Sequence, residues 1–495
     1  MTIHLSLAAL PDLPADVRVP AYARGDLSPG ILHFGVGNFH RAHQGVYLDE
    51  LFSLGLDRDW AVIGAGVKPV DALMREKLTA QDWLTTVIER DATGRRARVT
   101  GAMVDFIAPG DRAALIARLA DPRIRIVSLT VTEGGYFINA AGRFDATHPD
   151  IRRDAENIAA PETVFGLILA GLIARRRPGT PPFTVMSCDN IPGNGDAAMG
   201  AVAGLAGLFD PALAAWVRGH VACPNSMVDR ITPATTDHER ALVAEVWGIE
   251  DNWPVACETF RQWVVEDQFP AGRPALEKVG VTFVADVAPF ELMKIRILNG
   301  GHAAIAYPAG LLDIHFVSDA MAHPLIAGFL ERLERDEIVP IVPPVPGVDL
   351  TAYFVKVAER FANPQVGDTV RRLCFDGSNR QPKFILPTAA DRLARGAPVT
   401  GLALVSALWC RYCAGATESG AEIPPNDPAW DRLETQARAA KSDPASFLSM
   451  RDIFGDLATN PAYVSAFSKA LASVWSVGTA ATLKLYLAGV LKADR

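Results

Sequence analysis

In the first half of this chain, short apolar runs alternate with helix-period segments, and nothing else in the sequence restricts the fold as much. Ile31-Leu-His-Phe-Gly35, Trp60-Ala-Val-Ile-Gly64, Ile124-Arg-Ile-Val-Ser-Leu-Thr130 and Phe183-Thr-Val-Met-Ser187 are bounded by Gly or polar turns, as buried strands are. Apolar spacing between them predicts helices over about 40–53, 71–78, 112–120 and 163–177. Strands joined through helices run parallel and are covered on both faces, which predicts a Rossmann-like, doubly wound α/β sheet. From about residue 288 helical stretches follow one another instead, at about 289–306, 317–335, 351–361, 398–414, 428–440, 460–472 and 479–492. At 495 residues the chain exceeds one ordinary core. Two domains are expected: 1–287, Rossmann-like and nucleotide-binding, and 288–495, mostly α-helical and carrying substrate binding and catalysis.

The first apolar run enters Gly35-Val-Gly37-Asn38-Phe39-His40, a G-x-G turn leading into a helix. The first Gly permits a tight turn, the second lets backbone approach a pyrophosphate, and the helix start offers N–H donors. His40 stands where the usual fingerprint has Gly or Ala, and a plain strand-to-helix turn explains the glycines as well. Asp71, beyond the second run, suits an adenosine ribose or the N-cap of its helix, while Lys68 or Arg75 would suit a 2′-phosphate. Thr132-Glu133-Gly134-Gly135 follows the third run and lets backbone pass near a nicotinamide ribose, or forms an ordinary turn.

Lys294-Ile-Arg-Ile-Leu-Asn299-Gly-Gly-His302 carries the candidate chemistry. On an α-helix turning ~100° per residue, positions 294, 299 and 302 share an arc of roughly 140°. A buried Lys can exchange a proton near neutral pH, Asn can donate to a carbonyl or alkoxide, and His can hold or relay a proton. A helix end with a snorkelling Lys and a capping Asn fits the same letters. Asn190, after the fourth run, is a second donor to a reacting oxygen or part of an Asn/Gly turn. Asp229 beside Arg230 makes a structural ion pair or binds substrate hydroxyls. Arg371-Arg372-Leu-Cys-Phe-Asp-Gly377-Ser-Asn-Arg380 is a dense polar turn suited to a polyhydroxylated molecule.

A net charge of −8 and a pI of about 5.7, without a basic block beyond Arg175-Arg176-Arg177, argue against nucleic acid. The longest apolar helix candidate is too short for a bilayer and the N-terminus lacks a secretory pattern, so a cytoplasmic protein with reduced thiols is expected. Cys410-Arg-Tyr-Cys413 lacks a second ligand pair and reads as helix core, and His40-Arg-Ala-His43 as helix-start polarity; no metal site is expected.

Phe34-Gly-Val-Gly-Asn-Phe-His-Arg-Ala-His43, Thr132-Glu-Gly-Gly-Tyr136, Ser187-Cys-Asp-Asn190, Met227-Val-Asp-Arg-Ile-Thr-Pro233 and Lys294-x4-Asn299-x2-His302 together resemble the polyol-specific long-chain dehydrogenase/reductase family over nearly the whole chain. The resemblance implies metal-independent, NAD-linked interconversion of a sugar alcohol and a ketose, D-mannitol and D-fructose being the expected pair. It implies Lys294 as general acid–base, Asn190 and Asn299 polarising the reacting oxygen, and His302 positioning the substrate. It further implies Asp229, Arg372 and Arg380 on distal hydroxyls, and a monomer. Cofactor contacts are expected from Gly35, Gly37, Asn38, Phe39, Asp71, Thr132, Glu133 and Gly134. Arg380 stands where the family can have Lys, and Val70 where it can have an acid; the first bears on the substrate, the second on NAD preference. Uronate reductases and arabinitol dehydrogenases share the Lys/Asn/His segment. A two-domain β-hydroxyacid dehydrogenase, acting on carboxylate or phosphate substrates, is the alternative outside the family, and an NAD-binding sensor without catalysis is a third reading.

Overall fold

A computed structural model describes residues 2–139, 142–177 and 179–491. The backbone divides into two compact units, Met1–Ala288 and Pro289–Arg495. The first unit is built on five strands: β1 (Pro29–Phe34), β2 (Ala61–Ala65), β3 (Met103–Phe106), β4 (Ile126–Leu129) and β5 (Thr184–Ser187). They lie in the order β3-β2-β1-β4-β5, with every adjacent pair parallel. Alternate residues of each strand enter two separate cores. Leu32, Phe34, Ile63, Val127 and Leu129 pack with the helices Arg112–Ala120, Val164–Arg176 and Asn194–Phe209. Ile31, Val62, Ile126 and Met186 pack with Gln44–Ser53 and Pro69–Thr79. Burial on both faces explains why the strands read as continuous apolar runs.

The expected doubly wound sheet is thus present, with three local departures. β3 was not foreseen: it pairs only with β2, and only its terminal Met103 and Phe106 are buried, so no apolar run marks it. Two further three-stranded sheets were also not foreseen: Val255–Glu258 with the hairpin Thr85–Asp91/Gly94–Thr100, and Thr282–Val284 with Gln262–Glu266 and Ser226–Asp229. The helix expected over 40–53 is broken into Asn38–Ala42 and Gln44–Ser53 at His43 (φ −115°, ψ −86°). The Arg230 guanidinium, just past the strand Ser226–Asp229, donates to Ala42 O at 2.5 Å and holds that broken end.

The second unit is helical among its described residues. The stretch expected as one helix over 317–335 is Val317–Ala322 and Pro324–Leu333, because Pro324 starts a helix better than it continues one. The latter runs into a π-helical turn, Glu334–Ile338. The expected polar turn around Arg371–Arg380 is instead helical, Val370–Leu373 and Gly377–Phe384, followed by Leu386–Ala394. Its second helix is started by Asp427, whose carboxylate accepts from Ser378 N and Ser378 Oγ, both at 2.7 Å; a cap that remote in sequence is invisible to local reading. Thr400–Cys413 buries both Cys410 and Cys413 as helix core. The last helix, expected over 479–492, is Thr479–Leu487, and residue 492 lies outside the described residues. No helix among the described residues is long and apolar enough to cross a membrane.

Candidate active site

Gly35 closes β1 with φ +92°, and a Cβ added there would stand 2.1 Å from Thr130 O. Only Gly fits. Its carbonyl accepts from Gly37 N (2.6 Å) and Thr130 Oγ1 (2.7 Å), and His33 Nε2 lies 3.2 Å away. His33 Nδ1 is 2.8 Å from Ser128 Oγ. An acceptor at Nε2 would oppose the Gly35 oxygen, so the Nε2–H tautomer is the consistent one. His33 stacks on His40 with centroids 3.6 Å apart. Burial pushes His33 from 6.5 down to about 3 and holds His40 well below its usual value. His43, also depressed to about 3 by burial, has Nε2 3.0 Å from Gln262 O. His40 and His43 are therefore neutral core residues behind the glycine turn.

At Gly37 the situation reverses. Its φ is ordinary (−97°), and the nearest atom to an added Cβ is Gly35 O at 3.8 Å. At Gly134 an added Cβ meets nothing within 4 Å. Both positions leave backbone open for close approach, which is the fit a dinucleotide requires. Asn38 is committed to the fold: Nδ2 donates to Pro233 O (3.1 Å) and Thr235 Oγ1 (2.9 Å), and Oδ1 accepts from Arg41 and Trp253. Phe39 stacks on His43 at 4.8 Å. Asp71 stands at the third helical position and not at the N-cap, which is Lys68, because Pro69 starts the helix. One carboxylate oxygen accepts from Val67 N (2.9 Å) and Lys68 N (2.8 Å). Arg75 donates to Phe106 O at 2.7 Å.

Thr132 is held at φ +68°, ψ 165°, a region open mainly to Gly, where residues cost on the order of 1–3 kcal/mol. Asp189 supports it. Its carboxylate accepts from Thr132 N (2.8 Å), Val131 N (3.0 Å) and the Tyr136 hydroxyl (2.6 Å). Since Tyr136 donates there, Ser187 Oγ donates to Tyr136 across 2.5 Å. Burial raises the Asp189 carboxyl, and these hydrogen bonds oppose the rise. Asn190 follows directly and is exposed. Asn194 ties this segment to the strand ending in Asp229, donating to Asp189 O (2.9 Å) and Ser226 O (2.8 Å). Asp229 is buried. The adjacent Arg230 is spent on the fold, donating to Glu258 O, Ala42 O and Glu89 Oε1 (2.6 Å). Asp189, Tyr136 and Ser187 were missed by reading the sequence; the carboxylate beside Asn190 was the available signal.

In the second unit, Lys294–Asn299 is π-helical, with Gly300 N–H donating to Ile295 O five residues back. This corrects the expected α register. A turn closed at i→i+5 takes roughly 4.4 residues, about 82° each, against ~100° in an α-helix. Counted from Lys294, Asn299 moves from ~140° to ~50° and His302 from ~80° to about −10°. The shared arc narrows from ~140° to ~60°, so the π turn gathers the three side chains that an α-helix would spread. Lys294 is buried. His302 stacks on Phe361 at 4.0 Å, which fixes its ring plane. Arg296, within the turn, is tied to Asp391 and donates to Ile341 O at 3.2 Å. Glu334 packs beside Gly301, where an added Cβ would lie 3.2 Å from Oε1. Its carboxyl is fully buried without a hydrogen-bond partner among the described residues, and burial drives it well above the usual carboxylate range. Arg372 is half-exposed and braced by Asp368, while Arg380 donates to Leu373 O at 3.1 Å. These two arginines therefore lie on one helical corner. Among the described residues no group of three or more His, Cys, Asp or Glu could hold a metal ion.

Fold and site define a two-unit dehydrogenase with a Rossmann nucleotide fold and a helical partner unit. Models of the mannitol dehydrogenase Rossmann domain and C-terminal domain match residues 29–278 and 286–475, and the chain belongs to the mannitol dehydrogenase family. It is 60% identical to mannitol 2-dehydrogenase of Cereibacter sphaeroides, over 95% of this chain and 98% of that protein. The mannitol 2-dehydrogenase of Aspergillus clavatus is 42% identical over 95% of this chain and 96% of its own. Among solved structures, the Pseudomonas fluorescens mannitol 2-dehydrogenase ternary complex with NAD and D-mannitol matches with a TM-score of 0.85 and 41% identity, covering 98% of this chain and 100% of that one. A substrate-free D-sorbitol dehydrogenase matches with a TM-score of 0.91 and 33% identity, covering 97% and 100%.

Proposed function

We propose that this chain is an NAD-dependent, metal-independent dehydrogenase interconverting D-mannitol and D-fructose. The observation that carries the reading is the π turn that gathers Lys294, Asn299 and His302 on one narrow arc of a buried helix. Bound NAD supplies the hydride acceptor. Lys294, as the neutral amine, takes the hydroxyl proton while the adjacent C–H electron pair departs, and the C–O bond becomes a carbonyl. Asn299 and Asn190 donate to the oxygen as its charge develops. His302, held in plane by Phe361, positions the reacting carbinol, and Asp229, Arg372 and Arg380 bind the distal hydroxyls. Gly35 shapes the cofactor turn, Asn38 and Phe39 open the helix that follows it at the dinucleotide, Gly37 and Thr132-Glu133-Gly134 offer backbone to the dinucleotide, and Asp71 faces the ribose and favours NAD over NADP. A cytoplasmic monomer completes the reading, with light scattering as the check on the monomer.

The test is NADH formation from D-mannitol, D-sorbitol, D-arabinitol and 6-phosphogluconate. D-mannitol is expected to give the highest kcat/KM; preference for D-sorbitol or D-arabinitol reassigns the substrate, and preference for the phosphorylated acid overturns the polyol reading. With Lys294 as proton acceptor, EDTA leaves the rate unchanged. Loss of rate in EDTA, restored by zinc, sinks the Lys294 mechanism.

A further inference from the structure

Thr132 and Asn190 belong to different strand ends, yet one carboxylate holds both segments. Asp189 accepts the N–H groups of Val131 and Thr132 and the Tyr136 hydroxyl, while its own backbone precedes Asn190 and its carbonyl accepts from Asn194. Thr132 sits at φ +68°, where a side chain is disfavoured; the Asp189 bond to Thr132 N holds the peptide on one side of that angle, the bond to Val131 N holds the peptide before it, and Gly135 N–H holds the Thr132 carbonyl on the other side at 2.9 Å. Ser187, at the end of β5, closes the network on Tyr136, so the carboxylate cannot swing away without losing three donors.

We infer that Asp189 is a positioning residue that holds Thr132 in its strained conformation and so sets the Thr132–Gly134 backbone for the dinucleotide, in register with Asn190. This rests on the reading of that segment as cofactor-binding. Asp189 touches neither the substrate nor the cofactor in this account; it acts through Thr132 and Asn190. An amide in its place keeps the shape but turns an N–H group toward one of the backbone donors.

The experiment uses the full chain and two readouts: NADH affinity by fluorescence titration, and the thermal midpoint of the NAD-free protein. Asp189→Asn should weaken NADH binding about tenfold or more, since two charge-assisted bonds are disturbed. Adding Thr132→Gly should recover most of that loss, because Gly takes φ +68° without the carboxylate's help. In NAD-free protein, Asp189→Asn should lower the midpoint by about 2–4 °C more in the Thr132 background than in the Thr132→Gly background. This coupling is readable without any cofactor, so it separates failure of the positioning role from failure of the NAD reading. Tyr136→Phe, a milder change that removes one donor, should weaken NADH binding about two- to fivefold and stands in if Asp189→Asn does not fold. Wild-type NADH affinity in Asp189→Asn, or in Tyr136→Phe where Asp189→Asn does not fold, would overturn the inference. So would equal midpoint losses in the two backgrounds.

Discussion

The candidate cofactor turns of the first unit are built from backbone, and the candidate proton-transfer group of the second from side chains. In the Rossmann unit, Gly35, Gly37 and Thr132 matter through φ angles and open Cα faces, and each is held by neighbours such as Thr130, His33 and Asp189. In the helical unit, Lys294, Asn299 and His302 matter through side chains whose bearing comes from one helix changing pitch. Backbone sites need a dense shell of partners, because each strained or inward-turned peptide must be satisfied. A helical site needs only the right count of residues per turn. Burial depresses the histidines of the first unit and raises the carboxyls of Glu334 and Glu337 in the second.

That contrast breaks first on acid. His33 and His43 have folded values of about 3 against 6.5 unfolded, so their contribution is intact above about 6.5 and is lost as pH falls toward 3. The penalty is on the order of 5 kcal/mol per ring. Glu334 and Glu337 are raised, so their contribution is present below the unfolded value and lost as pH rises through the folded one; acid does not weaken them. Asp49 and Asp189, raised by burial in the first unit, offset part of the histidine effect. Hydrogen exchange at pH 4 is expected to open the peptides of β1 and β4 before those of Thr400–Cys413. The reverse order would show that the histidines are solvated or paired in solution.

Catalysis tests the pitch of the helix. Lys294→Ala should lower kcat by about 10²–10⁴ while NADH still binds. Deleting Ile295 closes the segment as an α-helix with Asn299 at ~40° and His302 at about −20° from Lys294, the same ~60° arc, so kcat should fall far less than in Lys294→Ala. A deletion variant as inactive as Lys294→Ala would mean that the π turn sets more than the bearing of the three side chains.

The two glycines sharpen the comparison within the first unit. Gly35→Ala forces a Cβ against Thr130 O and should destabilise on the order of 2–4 kcal/mol, seen as a lower thermal midpoint. Gly37→Ala has room and ordinary φ, so the midpoint should hold while NADH affinity falls. If both variants behave alike, Gly37 serves folding and not ligand approach. The smallest effect is expected at Asp71. Removing its carboxylate strips an acceptor from Val67 N and Lys68 N, worth about 1 kcal/mol, and should narrow the NAD/NADP preference. An unchanged ratio would leave Asp71 as a helix-start residue alone.

Four of the five sheet strands were legible because strands buried on both faces read as apolar runs whatever lies around them. β3 was not, since only two of its residues are buried. The small sheets were not, because their strands are short and pair with partners far away in the chain, Thr85–Asp91 with Val255–Glu258 and Ser226–Asp229 with Gln262–Glu266. The G-x-G turn and the Lys/Asn/His segment were visible as letters. Their supports were not: His33 lies inside an apolar run, Asp189 beside an Asn/Gly turn, and Glu334 within the helical stretch expected over 317–335, with nothing local to mark their partners.

Composition and period alone determined the parallel sheet, the change to helices near residue 288 and the identity of the candidate groups, because hydrophobic burial acts through spacing along the chain. Only the tertiary structure decided the π pitch of 294–299 and the commitment of Arg230 to Glu89 and Ala42 O. Those outcomes depend on which distant groups compete for a given backbone or side-chain hydrogen bond. That competition is settled only when the elements pack, since an unmade buried hydrogen bond costs more than local preference can supply.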